Sequence, residues 1–234
     1  MQKGMRVPLL LLICLLQSTT LLAQTLKVQR LQYEVTEAGQ TPYLSRMLVT
    51  EQMVRIDQGS DSADFILFDR AEQVIYSVDS EERTVLVINP KPVNQPDNQL
   101  PDIKVQAKDV GEAPLVAGLK AQHWALLVNG QPCQEAMVLP EVMTKSVAAL
   151  GEYLGLLAKQ HKITMSGVPM AYRDDCADAI QVYAPDALQV KGLPLRSWDI
   201  NGNQQVLTDY SESETVDAEL FNLPEAFTRR PMPQ

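Results

Sequence analysis

Along much of the chain, apolar and polar residues alternate with the two-residue period of strands buried on one face. Leu31, Tyr33 and Val35 alternate with polar neighbours until Glu37-Ala38-Gly39-Gln40 breaks the pattern. Residues 43–50 and 53–57 predict two strands joined across Glu51-Gln52. Phe65-Ile66-Leu67-Phe68 is apolar on both faces, which predicts a central strand. Val74, Tyr76 and Val78, then Thr84, Leu86 and Ile88, flank the polar Ser80-Glu81-Glu82-Arg83 and predict a hairpin. Pro90, Pro92, Pro96 and Pro101 predict an irregular loop over 89–102.

The alternation resumes at Trp124, Leu126 and Val128 and returns over 133–139. Between the two runs, Asn129-Gly130 is the preferred pair for a tight turn with positive φ. Residues 193–200 and 204–210 flank Asn201-Gly202-Asn203 as another hairpin, and a short run over 216–224 precedes a polar tail at 229–234. One segment breaks the two-residue period. From Pro140-Glu141 to His161, Val142, Val147, Leu150, Leu154, Leu157 and Ala158 recur at helical spacing, with Lys145, Glu152 and Lys159 elsewhere. Such a helix is long enough to lie across one face of a sheet. There is no internal repeat and no Gly/Ser linker, so residues 24–228 are expected to form one α+β domain, an antiparallel sheet under a helical layer.

The start of the chain changes the picture. Lys3 and Arg6, without acids, precede an apolar run from Val7 to Leu16 broken only by Pro8, and Leu21-Leu22-Ala23 ends on a small residue. This is the layout of a secretory signal peptide over residues 1–23, cleaved after Ala23. A membrane anchor is the rival reading, but a spanning helix needs about 20 apolar residues. Lipid modification at Cys14 would call for a small residue before the cysteine, where Ile13 stands. Lys3 and Arg6 leave with the segment, so 20 basic residues fall to 18 against 29 acidic ones, a net charge near −11. Such a surface repels nucleic acid and anionic head groups, and no further segment is suited to membrane insertion. The expected location is periplasmic or secreted.

Only Cys133 and Cys176 remain after cleavage, and an oxidising compartment favours pairing them. The alternative is two separate buried thiols. Their separation and the lack of a nearby histidine argue against a CxxC redox pair or a zinc site.

Candidate chemistry is sparse. The sequence holds no HExxH, no Gly-rich phosphate loop and no GxSxG elbow. Ser166-Gly167 lacks the preceding glycine and a placed base. Asp174, Asp175 and Asp178 cluster around Cys176, but their spacing does not match an EF-hand, and solvated loop acids are the commoner case. No pair of acids is singled out for glycoside hydrolysis. The reading is therefore non-catalytic, without cofactor or metal. Methionines at 137, 143, 165 and 170 gather around the helix, where they serve either as core filling or as an adaptable greasy surface.

The order of these features resembles an exported bacterial domain family grouped by fold with the LolA-like lipoprotein carriers and related lipid-binding half-barrels. The likeness is carried by the run from Arg55-Ile56-Asp57 through Ile66-Leu67-Phe68-Asp69 to Val74-Ile75-Tyr76-Ser77-Val78-Asp79, by Gly192-Leu193-Pro194-Leu195, and by Leu220-Phe221-Asn222-Leu223-Pro224. It implies a strongly curved antiparallel sheet, a half-barrel, whose concave face is covered by one long helix and shorter helical segments. It supplies no catalytic residue. The expected function is an exported binding or carrier module for an acyl lipid or other hydrophobic small molecule. Met143, Val147, Leu150, Leu154, Leu157, Phe65, Trp124 and Trp198 are the candidate cavity lining. The alternative is an envelope protein that docks a partner on its acidic surface or a sheet edge, without a ligand cavity.

Overall fold

A computed structural model describes residues 24–59, 63–91, 100–109, 111, 115–116 and 118–233. Its strands run in chain order β1 (Thr25–Thr36), β2 (Tyr43–Val49), β3 (Met53–Asp57), β4 (Phe65–Asp69), β5 (Val74–Asp79), β6 (Thr84–Ile88) and β7 (Ile103–Lys108). A small ribbon of β8 (Leu115–Val116) and β9 (Leu119–Lys120) follows, then β10 (Gln122–Val128), β11 (Gln131–Leu139), β12 (Leu193–Asp199), β13 (Gln204–Asp217) and β14 (Thr228–Pro231). All but the ribbon join one sheet, ordered β14-β6-β5-β4-β3-β2-β1-β13-β12-β11-β10-β7. Every pairing is antiparallel except β14 with β6. The outer strands β14 and β7 do not pair, so among the described residues the sheet is open rather than a closed barrel.

Register turns the sequence alternation into a core. Val49, Val54, Phe68, Ile75 and Ile88 sit opposite one another across five strands, and Met47, Ile56 and Ile66 form a parallel row. Against these rows lies α1 (Thr144–Met165), which buries Ala149, Tyr153 and Leu156 in the same core. Their spacing of four and three residues places them on one helix face. Through the pairs Val35–Gln205, Gln205–Ser197 and Ser197–Ala136, the α1 side of the sheet continues to Ala136 and Trp124. There a second cluster packs under Ile180, Ala184 and Leu188. These belong to the stretch after α2 (Asp175–Asp178), which runs on as a π-helical turn (Ala179–Tyr183) and a 3-10 turn (Gln189–Lys191). Cys133 and Cys176 form a disulfide, Cα–Cα 5.3 Å, that ties β11 to α2.

The opposite face of β2–β6 is also buried. Leu48, Arg55, Leu67 and Val85 point there by alternation and are nearly inaccessible. Asp57 accepts two bonds of 2.8 Å from Arg46, one of 2.6 Å from Arg55, and one from the Gly59 N–H. Burial alone pushes the Asp57 carboxyl up, but these donors outweigh it and hold the group below its usual range. Arg55 also lies over the Phe65 ring and donates 2.7 Å to the Leu220 carbonyl. Residues 218–233 thereby form a strap. It leaves this face at Leu220, runs beside β6 as β14, and places Met232 against the α1-side core while Pro233 accepts a bond from Gln160 on α1.

Several expectations are revised. Helix α1 starts at Thr144 because Glu141 and Met143 hold left-handed φ values of 65° and 51°, which helical backbone cannot include. It also runs past His161 to Met165. Residues 229–231, read as a polar tail, pair with β6, and β13 extends to Asp217 because its outer half pairs with β1. Strand β7 emerges from a stretch without strong alternation. The proposed signal peptide at 1–23, positions 92–99 of the proline loop and Gln234 lie outside the described residues.

Candidate cleft beside the long helix

A cleft of about 810 Å³ opens beside the first half of α1. Val142, Val147, Ala148 and Val190 give it an apolar wall, while Asp186, Gln189 and Lys191 form its polar side. Local sequence builds both walls. The two left-handed residues Glu141 and Met143 turn the chain sharply from β11 into α1, presenting Val142 between them. Opposite, the 3-10 turn ends on Gly192, at φ 146°, where a Cβ would come within 2.5 Å of the Leu139 carbonyl oxygen. Only glycine lets the turn close onto the end of β11 and set the width of the cleft. On α1 itself, Gly151 leaves bare backbone, and a Cβ there would meet the Asp186 carboxylate at 3.6 Å.

A second, more polar cleft of about 460 Å³ lies along α1, and Ala148 lines both. Arg70 sits in the second cleft and Glu152 in the first, joined by two hydrogen bonds of 2.7 Å. The Arg70 guanidinium holds the Glu152 carboxyl below its usual range. Ser146, fully buried, donates from its N–H and hydroxyl to the Gln29 side chain on β1, so the first turn of α1 is fixed on the sheet.

The residues expected to line a cavity are only partly brought together. Val147 lines the larger cleft. Met143 is buried in the main core, and Leu150, Leu154 and Leu157 are half-buried against it. Trp124 belongs to the second core cluster but carries the Lys191 ammonium over its ring at 4.7 Å, next to the cleft. Phe65 lies on the opposite face under Arg55. Trp198 is also on the opposite face, stacked with His123 at 5.5 Å.

Sequence reasoning missed one chemical pair. His123 Nε2 lies 2.6 Å from Glu135 Oε2. Counting back from the Asn129-Gly130 turn would place Glu135 on the Trp124 side. A bulge between Leu126 and Leu127 shifts the register by one residue, so Ala125 faces Glu135 and the carboxylate joins His123. No sequence signal marks that bulge. The disulfide leaves no free thiol among the described residues, and no helix there is long and apolar enough to cross a membrane.

No protein family and no curated protein matches the chain. Two solved structures of PNGF-II, in the C2 and P21 space groups, are similar at 8% and 9% identity with TM-scores of 0.40 and 0.38. The alignments cover 88% and 90% of this chain but 31% and 32% of those, so the chain spans about a third of their length. At that level the likeness carries no argument about the cleft.

Proposed function

We propose that this protein is an exported, non-catalytic binding module that holds a hydrophobic or amphiphilic small molecule, such as an acyl lipid, in the cleft beside α1. The observation that carries the reading is the cleft itself. At about 810 Å³, with a wall of Val142, Val147, Ala148 and Val190, it has the size and mixed lining of ligand sites. The Cys133–Cys176 bridge supports an oxidising compartment, periplasmic or extracellular, and a cleaved leader over residues 1–23 accounts for how the chain reaches it. In this reading the sheet is strongly curved and the helical layer occupies its concave side.

The test is native mass spectrometry of the oxidised protein lacking residues 1–23, purified without detergent. A mass excess released by organic solvent supports the reading. A bare mass, together with no uptake of added fatty acid or alkanol, sinks it.

A second reading is favoured by one observation, the outer edge of β7, which among the described residues pairs with no further strand and so offers backbone groups to a partner strand. An envelope protein captured through that edge, with cross-links mapping to residues 103–108, would favour an interaction module instead.

A further inference from the structure

The polar groups of the cleft are unequally engaged. Glu152 is held by Arg70, and the Lys191 ammonium rests over Trp124. Among the described residues, the Asp186 carboxylate has neither an ion pair nor a side-chain hydrogen bond. Gln189, only 7% exposed, keeps its side-chain oxygen buried without a donor. Asp186 and Gln189 both offer acceptors; with the exposed Glu141 carboxylate and Thr144 hydroxyl, likewise without a side-chain partner among the described residues, they share the cleft with Val142, Val147 and Val190. A buried acceptor without a donor costs free energy that a donating ligand would recover. A ligand donor reaches that oxygen by rotation of the Gln189 terminal amide, a torsion with a broad minimum.

We propose that the cleft takes an aliphatic primary ammonium, its charged head between Asp186 and Gln189 and its stem along Val142, Val147 and Val190. An ammonium offers three donors and no acceptor, which matches a carboxylate and an amide oxygen together. An alcohol brings a single donor and no charge. A carboxylate meets the like charge of Asp186. The inference rests on the reading of the cleft as a ligand site and specifies which ligands it prefers.

The experiment is calorimetric titration of the full domain at pH 7 with n-octylammonium, 1-octanol and octanoate, three ligands of one stem length. Octylammonium is expected to bind at least tenfold more tightly than octanol, with octanoate weakest. Asp186→Asn should reduce that preference to below threefold, and Gln189→Met should weaken octylammonium severalfold. Equal binding of all three, or an unaltered preference in Asp186→Asn, overturns the ammonium inference and leaves the cleft a generic apolar site. Failure of all three to bind overturns both this inference and the ligand-binding reading.

Discussion

Arg70 and Glu152 meet through two parallel hydrogen bonds of 2.7 Å, and the same guanidinium donates to the backbone carbonyls of Thr50 and Glu51. One side chain thus ties the β2–β3 turn, the end of β4 and the middle of α1. Glu152 is substantially exposed, so solvent screening limits the pair itself to about 0.5–1 kcal/mol. Arg70→Ala should cost more than Glu152→Gln, because it also frees two turn carbonyls. Urea unfolding of both variants checks the order, and equal losses would contradict it. The Glu152 carboxyl titrates lower when folded, so its contribution is complete above the unfolded-chain value and fades as pH falls through the lower folded value.

The Asp57 cluster is a different case. Its carboxylate side chain is fully inaccessible between Arg46 and Arg55. Asp57→Asn leaves two guanidinium groups without their anion, and losses of about 3–5 kcal/mol are typical when one partner of a buried pair is removed. Its folded carboxyl is also depressed, so wild-type stability gained here is present above about pH 4 and lost as pH falls through the depressed value. Chemical denaturation from pH 7 down to pH 3 checks both points, since the variant should show a flatter acid limb than the wild type.

The Cys133–Cys176 bridge encloses a 43-residue separation containing all of α1. Chain-entropy estimates credit such a loop with up to about 4 kcal/mol. A Cys133→Ser, Cys176→Ser double variant should melt well below the oxidised protein, and reductant should move the wild type to the same place. Identical melting with and without reductant would show that the bridge does not constrain the unfolded chain.

Tyr33 lies in the main core with its hydroxyl buried and without a partner among the described residues, and burial pushes that phenol above its ordinary range. Removing the hydroxyl deletes an unsatisfied group without opening much space. Tyr33→Phe should therefore match or exceed wild-type stability, by up to about 1 kcal/mol. A clear loss in equilibrium unfolding would reveal a partner for the hydroxyl, such as a trapped water.

Much of the sheet could be read from the sequence because period-two alternation survives wherever one face is buried. β2 to β6, the Asn129-Gly130 hairpin and the β12–β13 hairpin lie where alternation and turn residues put them. The start of α1 could not be read, since Glu141 and Met143 adopt a left-handed conformation that neither residue type announces. β14 was invisible for a different reason. Thr228–Pro231 is exposed and polar, and its strand state comes from a parallel partner far away in the chain. The cleft was half legible. Val147 was marked by helical spacing, whereas Asp186, Gln189 and Val190 sit on a turn whose place is fixed by Gly192 against Leu139. Candidate residues chosen for being large and apolar went largely into the core, which is the usual destination of such side chains.

The strap over residues 218–233 has a consequence for behaviour at high concentration. It occupies the free backbone edge of β6, whose Val85-Leu86-Val87-Ile88 would otherwise be an apolar strand with unpaired N–H and C=O groups. A protein nicked after Asp217 would keep the pairing of β1 through β6 and of β10 through β13, and so retain its fold in outline. What it would lose is a terminator. With the edge of one copy bare, a second copy can add to it strand by strand, and the damage would first be seen as self-association rather than as unfolding.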